Sequence, residues 1–311
     1  MDSLLLALAV ALSFVFGWNN SALLIGNVRG SGTLSYGTIL ALAVVGLVLG
    51  SLIDGPKMGG SLAGSIAPSA SAIVLIATIF VSLALTLAMT LLELPVSFSM
   101  VMVGAFIGAT LASGIALNAA RAYEVVAFWF VAPLGTAMLT YVIYRGTKSL
   151  VSGLGILAVD SLNRSGAFVS AFAVSYTLGA NNIGMFYGST GGTTGPLAEG
   201  EVFALLALAA ILGVVVLGRN SLGGVVGDRM LALSPQGVFS AFVASSLLVW
   251  AGTQLALPVS ITQCLIGGML GAAFTRHVSI VNTRLVAETV SLWVFAPVVA
   301  LGASFLLALA L

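Results

Sequence analysis

The sequence predicts an all-α polytopic membrane protein made of two inverted-topology repeats, each with about five hydrophobic segments. Three observations carry this: a composition that water cannot solvate, apolar runs of membrane-spanning length, and an internal duplication. Of 311 residues, 60% are hydrophobic and only 6% are charged. Soluble domains carry about 25% charged residues. The apolar runs are roughly 17 to 26 residues long, bracketing the ~20 needed to cross a ~30 Å hydrocarbon core.

The runs fall at about 3–28, 35–53, 68–92, 96–116 and 123–144, then at 166–190, 201–218, 236–256, 259–275 and 286–310. The organisation is therefore a first transmembrane repeat over 1–147, a polar cytoplasmic linker over 148–163, and a second, inverted repeat over 164–311. The copies match at offsets of 162 to 164. Gly17-Trp18-Asn19-Asn20 answers Gly179-Ala180-Asn181-Asn182, and Leu94-Pro95-Val96-Ser97 answers Leu257-Pro258-Val259-Ser260. Gly104 and Gly108 answer Gly267 and Gly271, while Glu124, Trp129 and Pro133 answer Glu288, Trp293 and Pro297.

Five crossings per copy is an odd number, so the second copy enters the membrane upside down, as in many secondary transporters. Basic residues agree. Simple alternation puts Arg29, Arg145, Lys148, Arg164, Arg219, Arg229, Arg276 and Arg284 on one side, with only Lys57 and Arg121 on the other. The positive-inside rule then places both termini outside a cell (plasma) membrane. Segments three and four are separated only by Glu93 and Leu94 before Pro95, so a re-entrant hairpin there, and at segments eight and nine, remains open. Asp2 precedes the first apolar run with no basic residue, which reads as a retained first helix rather than a signal peptide.

Several function classes are excluded early. A net charge of +1 gives no electrostatic case for nucleic acid. The single cysteine, Cys264, and single histidine, His277, support neither a disulfide framework nor a histidine-rich metal site. No nucleophile–base pair or nucleotide loop stands out, so no enzyme is expected, and no cofactor.

Two duplicated motifs carry the chemistry. Glycine followed by two asparagines is poor helix material about fourteen residues into each copy's opening helix. Asn19, Asn20, Asn181 and Asn182 then read as a pair of broken helices offering amides to a substrate; the competing reading is polar helix–helix contact. Pro95-Val96-Ser97-Phe98-Ser99 and Pro258-Val259-Ser260-Ile261-Thr262 read as helix starts, whose free N–H groups and hydroxyls suit an anion. The plainer alternative is a helix start after a turn. The glycine pairs at spacing four read as close helix packing, and Pro133 and Pro297 as kinks. Arg121 with Glu124, and Arg284 with Glu288, read as structural pairs along a helix. Glu93 is a coupling-ion candidate if it lies deep in a hairpin, and otherwise a surface residue.

At these motifs the chain resembles the inorganic phosphate transporter family, including its sulfate-permease branch. That family carries a duplicated GANDxxN motif in broken helices and a PVSTT-type motif opening a second helix in each half. The resemblance implies a symporter for a tetrahedral oxyanion, phosphate or sulfate, driven by Na+ or H+. It places Asn19, Asn20, Asn181 and Asn182 with Ser97, Ser99, Ser260 and Thr262 around the anion. The motif's aspartate is replaced by Asn20 and Asn182, and its later asparagine is absent. That exchange removes a charge that would ligate sodium and supplies N–H donors, which suits proton-free sulfate better than protonated phosphate. Asn20, Asn182 and Glu93 are the expected coupling-ion positions, with no metal beyond Na+. The expected partners are the anion and the lipid bilayer, and the plan is compatible with a homodimer. The rival classes are a Na+-coupled symporter of another small solute, such as an amino acid, and a channel or structural subunit.

Overall fold

The computed structural model describes residues 2–21, 33–92, 94, 96–192, 197–217, 233–276 and 283–311. Glu93 and Pro95 lie outside the described residues, as do Arg29, Arg219 and Arg229. Among the described residues every regular element is helical. The first half comprises α1 (Asp2–Ser21), α2 (Tyr36–Ile53), the single turn α3 (Gly55–Met58), α4 (Ala72–Leu91), α5 (Phe98–Ala112) and α6 (Ala119–Val151). The second comprises α7 (Ile156–Leu178), a π-helical turn (Gly179–Ile183), α8 (Gly184–Ser189), α9 (Glu199–Val216), α10 (Pro235–Gln254), α11 (Ile261–Arg276) and α12 (Thr283–Ala310).

Polar side chains set the helix starts. Ser35, Ser71, Ser97, Asn118 and Ser234 each accept a hydrogen bond from a backbone N–H three residues on, satisfying a donor the helix leaves free. Among the described residues seven helices are long and apolar enough to cross a membrane: α1, α2, α4, α6, α9, α10 and α12. By contrast α5 and α11 have 15 and 16 residues. At 1.5 Å per residue they reach about 22–24 Å, short of the ~30 Å core.

The linker expected over 148–163 is mostly helix. α6 and α7 run into it from either side and leave only 152–155 as a turn. Lys148 in the last turn of α6 complements the helix dipole, and Arg164 pairs with Asp160 at 3.2 Å one turn along α7.

The surface is apolar and the interior holds the hydroxyls. Leu134, Met138, Phe295 and Leu306 on α6 and α12 are 65–72% exposed, as lipid-facing side chains are. Buried Thr78, Thr136 and Ser245 donate to carbonyls one turn back on their own helices, so no hydroxyl at these positions faces hydrocarbon unpaired.

The two halves are interleaved. α5 packs on α12 and α11 on α6; α1 packs on α9 and α7 on α2. Glycine makes these contacts possible. A Cβ at Gly104 would collide with the Pro297 carbonyl, and one at Gly108 with that of Leu301. One at Gly267 would collide with the Pro133 carbonyl, and one at Gly271 with that of Ala137. The packing role read from the glycine spacing therefore holds, and Pro133 and Pro297 are the residues packed against.

Candidate functional site

Ser99 of the first half meets Asn182 and Val259 of the second along the seam between the halves, whereas Asn19 and Asn20 bond within the first half. Asn19, Asn20, Asn181, Asn182, Ser97, Ser99, Ser260 and Thr262 are all buried. Among the described residues, the interruption expected in each opening helix is present only in the second half. In the second half it is the π turn, whose extra residue redirects the side chains of Asn181 and Asn182. Gly179 opens that turn and Gly184 follows it; a Cβ at either would strike the carbonyl of Leu47 or of Gly55. In the first half α1 stays α-helical through Asn19 and Asn20 to Ser21.

The two asparagines of each motif have different partners. Asn19 Nδ2 donates to Thr90 Oγ1 at 2.8 Å, tying α1 to α4. Asn181 Nδ2 donates to Thr253 Oγ1 at 3.0 Å, the equivalent tie to α10. Asn181 also donates to the Leu257 carbonyl at 3.1 Å and accepts from Val259 N at 3.2 Å. The first asparagine of each pair is thus a staple whose amide is occupied by protein.

The second asparagine is placed differently. Asn20 Nδ2 donates to the Phe16 carbonyl at 3.0 Å. Asn182 Oδ1 lies 3.4 Å from Ser99 Oγ of the other half, while its Nδ2 is buried with no hydrogen-bond partner. Ser99 Oγ donates chiefly to the Val259 carbonyl, at 2.9 Å. Ser97 and Ser260 cap the starts of α5 and α11 by accepting from Met100 N and Gln263 N. Trp129 Nε1 donates to the Pro258 carbonyl at 3.1 Å, which holds the second loop against α6. Every side chain in this network is uncharged. A buried N–H without a partner costs about 1–3 kcal/mol.

Three features of this region were not drawn from the sequence. Phe16, Phe98 and Phe186 form an aromatic cluster beside the motifs, with centroids 5.0, 5.2 and 6.0 Å apart. It draws on α1, α5 and α8, and only aromaticity near a motif could have hinted at it. Gln263, buried on the first turn of α11, carries an Oε1 without a partner.

The third is a polar knot around Asp54. Its carboxylate binds Lys57 Nζ at 2.6 Å and accepts from Tyr176 OH at 2.7 Å and Trp250 Nε1 at 3.1 Å. Lys57 reaches on to Gln254 Oε1 at 2.5 Å. Burial alone would raise the Asp54 pKa; the hydrogen bonds from Lys57 and Tyr176 and the Lys57 charge outweigh it, leaving the carboxyl below its ordinary value. Among the described residues no group of three or more His, Cys, Asp or Glu is placed to hold a metal ion.

A bundle of apolar helices folded around an uncharged, amide-lined seam defines a polytopic membrane protein of the carrier type. The sequence profile of the phosphate transporter family matches residues 16–157 and again 157–304, and the chain belongs to that family. It therefore stands among transporters, not enzymes. It is 27% identical over 308 residues to the "Putative phosphate permease" of Methanocaldococcus jannaschii, an alignment covering 97% of this chain and 95% of the relative. It is 30% identical over 152 residues to the "Sodium-dependent phosphate transporter" of Toxoplasma gondii, covering 44% of this chain and 17% of that one. The fold superposes on a solved structure titled "The sodium-dependent phosphate transporter" with a TM-score of 0.83 at 17% identity, over 99% of this chain and 98% of the other.

Proposed function

We propose that this chain is a secondary-active symporter of inorganic phosphate in the cell membrane, driven by a sodium or proton gradient. The observation that carries the reading is Asn182 Nδ2, a buried donor with no partner at the seam of the two halves. Asn20, Ser99, Thr262 and the capped starts of α5 and α11 complete an uncharged set of groups for a tetrahedral oxyanion. A site held by dipoles alone releases its anion more readily than one with a buried cation, as a carrier requires.

Sulfate is the second reading, favoured by Asn20 and Asn182 standing where the family motif has aspartate. Neither residue offers a carboxylate to a protonated anion or to sodium. Glu93 stays a coupling-ion candidate from its position before Pro95.

The exchange of contacts between halves supports two repeats joined through 148–163, and the bias of basic residues supports their inversion with both termini outside. Alternating access would then rock the two interleaved units about the seam.

Uptake into liposomes decides among these readings. Labelled phosphate should enter saturably and only under an imposed sodium or proton gradient, with sulfate tested as substrate and as competitor. Absence of gradient-driven uptake of either anion, or amino-acid uptake that neither anion competes, would overturn the proposal.

A further inference from the structure

We infer that Arg121 is a positioning residue for the anion site, reaching from the first half to hold a strained turn of the second. The inference rests on the oxyanion reading above, and it begins at Ala256. With φ of +52°, Ala256 is the one non-glycine residue at positive φ among the described residues. Only glycine enters that region without a steric penalty.

The turn is the C-terminal cap of α10. Leu255 ends the helix, Ala256 N donates to the Thr253 carbonyl at 3.1 Å, and Leu257 N donates to the Gly252 carbonyl at 2.8 Å. These are the two bonds of a Schellman motif, whose left-handed position is normally glycine. Alanine there needs something outside the helix to hold it.

Arg121 supplies that hold. Its Nη2 donates to the Leu255 carbonyl at 2.6 Å and to the Ala256 carbonyl at 3.1 Å. Its Nη1 binds Glu124 Oε2 at 2.8 Å, which fixes the guanidinium plane. The backbone below is fixed as well: Asn118 Oδ1 accepts from Arg121 N at 3.2 Å, and Asn118 N donates to the Ile66 carbonyl at 2.8 Å. The side chain is only 20% exposed, whereas its counterpart Arg284 is 89% exposed and pairs with Glu288. Arg121 therefore does more than form the intrahelical pair that its spacing suggests.

The strained turn leads straight into the site. One residue on, the Leu257 carbonyl receives Asn181; three on, Val259 N donates to Asn181 and the Val259 carbonyl accepts from Ser99. Four residues on, Ser260 caps α11. Release of Ala256 from the left-handed region would rotate this whole segment. Arg121 touches none of the proposed anion-binding groups itself, so it acts through the turn.

The test compares wild type, Arg121→Gln, Arg121→Lys, and Arg121→Gln combined with Ala256→Gly, as full chains. Two readouts are taken: KM for anion uptake in liposomes, and hydrogen–deuterium exchange of the 254–260 segment in detergent. Arg121→Gln should raise KM by ~10-fold, the lower end of what supporting groups behind direct ligands contribute at metal sites, and should speed exchange at Val259. Lysine, which lacks the planar fork, should restore little. Glycine at 256 adopts the left-handed turn unaided, so the double variant should recover both values. Unchanged exchange in Arg121→Gln, or a double variant no better than the single one, overturns the inference. If wild type carries no anion, the oxyanion reading falls while exchange still decides the role of Arg121.

Discussion

Ser99 of the first half lies 2.9 Å from the Val259 carbonyl of the second, so the duplicated helix-start motifs hydrogen-bond to each other across the seam. The same hydroxyl stands 3.4 Å from Asn182. Three of the duplicated motif segments are thereby joined at one serine.

Replacing both Asn20 and Asn182 by aspartate restores the carboxylates of the family motif. Sulfate uptake should fall, because two donors are lost and two negative charges face a dianion. Phosphate uptake or sodium dependence should appear or strengthen. Liposome assays under separate sodium and proton gradients check this, and unchanged uptake and coupling would assign both asparagines to packing.

Asn181→Ala should be more damaging to stability than Asn19→Ala. The first strands the Leu257 carbonyl and Val259 N, besides freeing Thr253, whose hydroxyl keeps its bond to the Val249 carbonyl. The second frees only Thr90, whose hydroxyl already donates to the Thr86 carbonyl. Each buried group left unpaired costs about 1–3 kcal/mol. Thermal unfolding in detergent should therefore place Asn181→Ala clearly below Asn19→Ala.

The glycine contacts make a steric prediction. Valine at Gly104 or Gly267 would meet a proline carbonyl with no room to yield, and folded protein should be lost. Gly302, with nothing within 4 Å of an added Cβ, should accept alanine with little change. Monodisperse yield on size-exclusion chromatography reads both.

Asp54 gives a pH dependence with a fixed sign. Its folded pKa lies below the ordinary 3.8, so its stabilisation is present above that value. It disappears as pH falls through the lower folded value. The stability gap between wild type and Asp54→Asn should hold roughly constant down to about pH 5 and close in stronger acid. Melting temperatures across that range test it.

Much of this architecture was legible because duplication writes the same constraint twice. Gly104 and Gly267 could be paired by position before any packing was known, and each proved to face a proline of the other half. The motif asparagines were found for the same reason. Their division of labour was not legible, since neighbours in sequence point to different partners once the helix turns 100° per residue. Asn181 reaches Thr253 and Leu257, more than seventy positions away. The Asp54 knot and the Arg121 grip were hidden for a different reason. Both lie across an interface: Leu217 stands where a second Asp54 would be, and Arg284, the counterpart of Arg121, repeats only the intrahelical pair. The helical run of α6 and α7 into the polar stretch 148–163 was not drawn from its charges, of which Asp160 and Arg164 pair one helical turn apart.

The interleaving of α5 with α12 and α11 with α6 means that neither half owns its own walls. A single copy of the repeat, made alone, would leave a groove of glycines open to lipid where a proline-bearing helix belongs. In the intact chain that place is taken by the long helix of the other half. A chain severed at 152–155 should therefore yield fragments that survive only when made together.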